Sequence, residues 1–511
     1  MSKIRDLPPL APEEIDGSEL CPVSKDGTTR RASIEYLGRA AALTASQARD
    51  LAVAAGVQYP SEAAAVAALA DGAFGSYLDG SGNPIWGQRT GSTMTPLPGP
   101  WLGGDKVSFV QPSIAAVPRN VTERMRETIS AFDFGVSPSN SAGTNAINLQ
   151  SAVGFVAATG GGEIELPRGP IPLASIDLPQ DVLVTGKGRF NTLLVAPTGF
   201  DKPIIQRIGT FSGVINRGGV RDLAIVGSGR GNVGMVGIKN VFTNRGVFEN
   251  IDIFGCREGM WIENVWQDKL DHVHVHGGGT DQSYIGFYFA PKDPTIGVSN
   301  AVIATGCMAQ GVEYCGFRIV NGNGSKFASC EASDGHHAFF IGAPPTADGV
   351  IAEFLHFTNC LGDTTSDDIW RFELGNAAAV RRMQMTGCWA GNSSGGAGVA
   401  VRGCSELMFS NMLNVSVEGH GFEFTESARC VVTGSNVREY NRSGGAFNGF
   451  HINNSAANRV LGCEVWTPIS GTGKSFVEVG ASDHNLALGN NLSGGFTLVG
   501  ANSVQANNGA V

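Results

Sequence analysis

Charge is scarce in this chain: only 16% of its 511 residues are Asp, Glu, Lys or Arg, and their balance is −10. Without a basic stripe, a nucleic-acid partner is not expected, because phosphates call for clustered cations. No run of 18 apolar residues occurs, so no transmembrane helix or membrane insertion is expected. The first residues, MSKIRDLPPLAPEE, lack the apolar core of a secretory signal, which implies synthesis in the cytoplasm and reduced cysteines. No CxxC pair or P-loop occurs; GTGK at 471–474 lacks the preceding glycine spacing and reads as a turn. No cofactor and no metal are therefore expected.

What the chain does hold is glycine, 71 residues, together with 42% hydrophobic residues. Glycine at that level without a collagen period suits a turn-rich, well-packed β protein. From Val220 onward a short apolar phrase recurs, ending in cysteine or a small polar residue. It reads NIDIFGC to Cys256, VIATGC to Cys307, KFASC to Cys330, LHFTNC to Cys360 and RMQMTGC to Cys388; Ser435 and Cys463 continue it. The last three cysteine intervals are 23, 30 and 28 residues. Such a period marks a solenoid whose units bury their apolar faces against one another. The phrases are short, β-branched or aromatic, and flanked by Gly, Asn and Ser, so the unit is strand and turn. An all-β solenoid, a long β-helix, is expected, with the cysteines packed as an inward stack rather than binding metal.

Four segments follow. Residues 1–110 carry two Ala-rich stretches, expected as helices at 39–56 and 61–74, the second capped by Ser61, then a turn-rich linker, GSGNPIWGQRTGSTMTPLPGPWLGG. Residues 111–195 contain TNAINLQSAVGFVAATGGG, expected as an amphipathic helix with Ile147, Ala152, Phe155 and Val156 on its packed side. Residues 196–495 are the β-helix proper, and 496–511 a thin polar tail. An open β-helix end exposes unpaired edge groups, which gives the helix before it a covering role.

The succession FDFGV, NAINLQSAV, GGGEIELPRG and DVLVTGKGRFNTLL resembles the start of the pectate-lyase-like right-handed parallel β-helix of phage tailspikes and polysaccharide-degrading enzymes. LCPVSKDGTTRRASIEYL, within residues 1–110, is similar to the virion-anchoring head of phage tail fibres and tailspikes. The resemblance implies a homotrimer on a phage virion, held to a tail or baseplate protein through residues 1–110. It also implies a host surface polysaccharide (capsule, exopolysaccharide or O-antigen) as partner. The acidic residues that relatives often carry before the cap helix are replaced here by SNSAGTN, so that segment says nothing about catalysis.

Turns of a parallel β-helix stack about 4.8 Å apart, so the repeated cysteine serves as a ruler. Counted from Cys330 and Cys360, Glu331, Asp334, Asp363, Asp367 and Asp368 emerge over two adjacent turns. Carboxylates about 5 Å apart suit retaining glycoside hydrolysis, and about 6.5–9.5 Å inverting. Glu331, Asp334, Asp363 and Asp368 are thus the expected catalytic set, with Glu331 or Asp334 as acid and Asp363 as base or nucleophile. The alternative is that these acids only form turns. Sugar rings call for aromatic platforms. Trp370, which closely follows Asp367–Asp368, and Trp389, two turns above Glu331, are expected to bind substrate, together with His336. Adjacent residues of a strand point opposite ways, so at most one of His336 and His337 is expected to serve.

Upstream, WIENVWQDKLDHVHVHGGGTDQ alternates His272, His274 and His276; spaced about 6.5–7 Å on one strand face, they are expected to be too far apart for one tetrahedral zinc. With Arg257 and Lys269, this segment supports a rival reading, a lyase abstracting a proton beside a uronate. A second rival is a receptor-binding or structural tail fibre with no catalysis.

Overall fold

The computed structural model describes residues 128–509 apart from 278–282, 291–297, 343–350, 375–378 and 467, together with 58–59, 61–71, 74–78, 84–96, 108–109 and 119–120. The expected helix at 39–56, Cys21 and the anchor phrase starting at Leu20 lie outside these residues. The chain divides into two compact units, Met1–Glu127 and Thr128–Val511.

In the first unit a helix runs from Glu62 to Ala68, with the Ser61 hydroxyl accepting from the Ala64 amide at 3.3 Å. The segment expected as a linker is instead a hairpin, in which Pro84–Thr90 pairs antiparallel with Thr93–Pro96. Ile85, Trp86 and the Thr-rich return strand favour extended backbone. Gly91, at φ 63°, supplies the left-handed position that a two-residue hairpin turn requires.

The second unit opens with the cap helix, Ala142–Ala158, whose N-cap Ser141 accepts from the Thr144 amide. Asn145 is fully buried, and its amide donates to the Ser137 and Pro172 carbonyls at 2.9 and 2.8 Å, which ties the helix to the first turn. The buried side is Leu149, Ala152, Val153 and Val156. The expected side was half wrong: Ile147 is 70% and Phe155 39% exposed. Apolar residues lie all round this helix, so the 3.6-residue period does not choose between two faces.

The strands that follow form two long sheets, one of 14 strands and one of 27, and every pairing within them is parallel. This is a parallel β-helix: each turn lays a strand in the smaller sheet and one to three strands in the larger. The core spine comes from the smaller sheet. Phe287, Phe317, Phe339 and Trp370 occupy one register position, with ring centroids 4.5, 4.9 and 3.9 Å apart at 4–8° between planes. Offset-stacked rings bury large apolar area with few conformations to lose.

The cysteine phrase has a backbone cause. Gly306, Ser329, Asn359, Gly387, Asn411, Gly434, Gly462 and Gly489 all have φ between 51° and 64°. Each stands immediately before Cys307, Cys330, Cys360, Cys388, Met412, Ser435, Cys463 or Asn490. The chain makes a left-handed kink at this corner on every turn, which Gly and Asn tolerate best. The next residue then points inward, where all eight are buried. The nine described cysteines are unbridged and buried. Toward the C-terminus, polar members of the column close the corner's backbone: the Met412 amide donates to Ser435 Oγ at 3.1 Å, and the Cys463 amide to Asn490 Oδ1 at 2.8 Å. Cys256 does not belong to this column, because the register sets Val273 and Ile251 below Cys307.

Candidate functional site

The ruler holds on the larger sheet. Glu331, Leu361 and Trp389 are consecutive register partners, and Glu331 is exposed. Asp363 pairs with Ser333 and accepts from the Asn392 side chain at 2.7 Å. Asp334, exposed at φ 59°, stands at the next bend. Glu331 and Asp363 therefore share an outward face, two residues and one rung apart, about 8 Å between Cα atoms by strand geometry. Trp389 lies along its own strand: a Cβ on Gly391 would come within 2.8 Å of its ring.

Two expectations fail. Trp370 is fully buried in the aromatic spine, with Nε1 donating to the Trp389 carbonyl at 3.0 Å, so it offers no platform to a sugar. Asp368 is also buried, at 1% exposed, and lies across the corner from Glu331 and Asp363. The four expected carboxylates thus form no single cluster.

On that far side a second phrase repeats, which the cysteine ruler did not reveal: two variable residues, a Gly or Ala (Ile369 in one copy), an apolar residue, then outward and inward residues in turn. It reads REGMWI from Arg257, SYIGFYF through Tyr284, EYCGFRI through Tyr314, HHAFFI from His336, DDIWRF from Asp367 and GHGFEF from Gly419. Glycine is demanded where the chain enters the smaller sheet. At Gly316 a Cβ would meet Ala332 Cβ at 2.4 Å and the Ala338 carbonyl at 2.8 Å.

The first residue of the phrase builds a half-buried column at the corner. The Arg257 guanidinium lies 4.9 Å from the Tyr284 ring centroid, Tyr284 and Tyr314 stack at 5.2 Å and 11°, and Tyr314 and His336 follow at 6.1 Å. His336 and His337 straddle the break between the strands Glu331–Gly335 and His337–Gly342. That corner turns both rings the same way, contrary to the strand alternation expected, and sets their centroids 4.4 Å apart. Asp367 Oδ2 lies 3.5 Å from His336 Nε2, 3.9 Å from His337 Nε2 and 3.6 Å from Arg371 Nη1. His336 Nδ1 contacts Ser366 Oγ at 3.0 Å.

The second residue of the phrase is buried on all these turns but that of the half-buried His420, and several of these side chains carry displaced titrations. Burial raises Glu258 to about 7 against the opposing pull of Arg257 and Lys239. Burial raises Asp368 to about 6 although Arg402 opposes it. Burial lowers His337, whose Nδ1 donates to the Asp368 carbonyl at 2.9 Å and leaves Nε2 as an acceptor facing Asp367. Burial and the neighbouring His451 lower His420 to about 3. Asp368 Oδ1 accepts from the Ala397 amide at 2.9 Å, whereas Oδ2 faces Arg402 at 3.0 Å and Arg371 at 3.9 Å without hydrogen-bond alignment. Burial also keeps the Tyr314 phenol protonated. Displaced titrations on several turns of one exposed corner are a mark of functional sites.

One acid of the His-rich segment, Asp268, serves structure. Asp268 is buried, accepting from Asn240, Thr243 and the Gly246 amide at 2.6, 3.1 and 2.6 Å. Two groups among the described residues bring three possible ligand atoms within 4.8 Å of one another: His336, His337 and Asp367, and Asp252, His274 and His276. No helix of the described residues is long and apolar enough to cross a membrane.

No protein-family model matches the chain, and no curated protein matches it in sequence. Solved structures do resemble it. Tailspike protein 3 of bacteriophage CBA120 is 13% identical with a TM-score of 0.54, over 78% of this chain and 62% of that one. A mutant tailspike of the E. coli bacteriophage HK620, in complex with a hexasaccharide, is 10% identical with a TM-score of 0.51, over 80% and 83%. The A-module of an Azotobacter vinelandii mannuronan C-5 epimerase is 14% identical with a TM-score of 0.50, over 75% and 99%. At these identities the likeness is one of architecture, and the architecture is the right-handed parallel β-helix.

Proposed function

We propose that this protein binds a bacterial surface polysaccharide and cuts it at the Tyr284–Tyr314–His336–Asp367 corner, as a phage tailspike carried on the virion through residues 1–110. The observation that carries the reading is the half-exposed His336, with Nε2 3.5 Å from Asp367, at the end of a stacked tyrosine column. Tyr284 and Tyr314 offer flat apolar faces to sugar rings. His336, oriented by Asp367, takes a proton, Arg371 beside Asp367 faces an acidic sugar, and the protonated Tyr314 phenol supplies a proton to the leaving oxygen. That set favours elimination beside a uronate. Two of the structures described above are tailspikes, one of them with a bound hexasaccharide, and another is an epimerase of mannuronan, itself a polyuronate.

Glycoside hydrolysis is the second reading, supported by Glu331 and Asp363 lying two residues and one rung apart on the face that carries Trp389. Digestion of purified capsule, exopolysaccharide and O-antigen separates the two. Elimination yields an unsaturated uronide that absorbs in the ultraviolet and is lost in His336→Ala and Asp367→Asn. Hydrolysis yields reducing ends without that absorbance and is lost in Glu331→Gln and Asp363→Asn. A chain that binds these polymers without shortening any of them overturns both and leaves the receptor-binding fibre.

A further inference from the structure

A separate group of donors sits on the larger sheet, on the strands Val247–Phe254 and Lys269–His276. Asp252 is the register partner of His274 and is buried at 3% exposed. Its Oδ1 lies 3.6 Å from His274 Nδ1 and 3.4 Å from His276 Nε2. His272 does not take part: its backbone is kinked at φ 51°, and its ring pairs with Asp271 at 2.6 Å. The spacing expected along one strand face therefore does not govern. The rings of His274 and His276 converge on an acid from the neighbouring strand, with centroids 6.0 Å apart.

Both rings are held in place from outside. Arg189 can only donate, so its 2.9 Å contact makes His274 Nδ1 the acceptor on the side of Asp252. Phe254 stacks on the His276 ring at 4.7 Å and 13°. Such outer contacts, fixing tautomer and orientation, accompany metal-binding histidines. A cation already stands at the focus: Arg189 Nη1 is 2.9 Å from His274 Nδ1 and 3.5 Å from Asp252 Oδ1. Arg189 comes from the turn between the strands Val182–Thr185 and Thr192–Val195, beside the exposed Phe190.

We propose that Asp252, His274 and His276 form a two-histidine, one-carboxylate site for a divalent first-row transition ion, with Arg189 as a displaceable internal cation. Imidazole donors favour Zn2+, Ni2+ or Co2+ over Ca2+ and Mg2+, which take oxygen ligands. Three protein donors leave positions open for water or a ligand.

Calorimetric titration of the full chain with ZnCl2 and NiCl2, and visible spectra with CoCl2, test this independently of any polysaccharide. Wild type is expected to take up an ion here and give the ligand-field bands of imidazole-bound Co2+. His274→Ala and His276→Ala each weaken uptake by about tenfold or more, and Arg189→Gln strengthens it. His336→Ala, which removes a donor from the other group, leaves it unchanged. A melting curve accompanies each variant; His276 is outward and half-buried, so its variant carries the test should Asp252→Asn fail to fold. Unchanged uptake in both histidine variants, loss in His336→Ala, or no uptake by Arg189→Gln overturns the proposal.

Discussion

His336 and Asp367 are one turn apart in the fold and thirty-one residues apart in the chain. If His336 moves the proton, His336→Ala lowers the cleavage rate by about a hundredfold or more with little change in melting temperature. Steady-state rates on one polysaccharide check this. Asp368 makes a different prediction. Burial raises its folded pKa to about 6, so the folded chain holds a proton that the unfolded chain releases near pH 4. Its contribution is present below pH 4 and is lost as the pH rises through 6, a change on the order of 3 kcal/mol. Asp368→Asn keeps an acceptor for the Ala397 amide and abolishes that difference, which paired denaturant titrations at pH 4 and 7 measure. The Glu331–Trp389 column was legible because both residues follow the ruler cysteine directly. Trp370 was misread because its place is set by the second phrase, where the residue after the glycine position points inward. Tyr284 and Tyr314 carried a signal of their own: thirty residues apart, each stands two before a glycine that precedes phenylalanine.

Individual turns are specified at their corners. Gly316 has no room for a side chain, so Gly316→Ala is expected to destabilise by about 1–3 kcal/mol, because the neighbouring carbonyl belongs to the backbone and cannot swing aside. Asn490 accepts from the Cys463 amide at 2.8 Å and donates to the Val460 carbonyl at 2.9 Å. Asn490→Ala strands both backbone groups and costs about 1–3 kcal/mol. Thermal and denaturant melts of the two variants test whether space or hydrogen bonding governs the corner; an effect near zero in either contradicts its role. The strand-and-turn character of the repeat was readable because a left-handed kink recurs every turn and from Gly306 onward falls on Gly, Asn or Ser. The packed side of the cap helix was not readable, because Ile147 and Phe155 satisfy the same periodicity as Leu149 and Val153. The hairpin at 84–96 was hidden by its prolines and glycines, which are common to linkers and turns alike.

Across the molecule, the solenoid was the most legible feature, since each turn packs only against its neighbours and the sequence must repeat wherever the backbone does. The assignment of chemistry was less so. A ruler tied to one corner sees only the residues beside it, while the row Glu258, His337, Asp368 and His420 lies on another. The chain divides at Glu127, and Thr128–Val511 contains both candidate faces. Expressed alone, that unit is expected to retain the full chain's cleavage rate, and an inactive but folded fragment contradicts this. The central claim is that the glycan lies on the corner column rather than on the larger sheet. Its most direct test is a structure of His336→Ala soaked with oligosaccharide from the polymer that wild type cuts. The account predicts sugar rings against Tyr284 and Tyr314 with the cleavable bond beside Asp367; a glycan seated over Trp389 between Glu331 and Asp363 contradicts it.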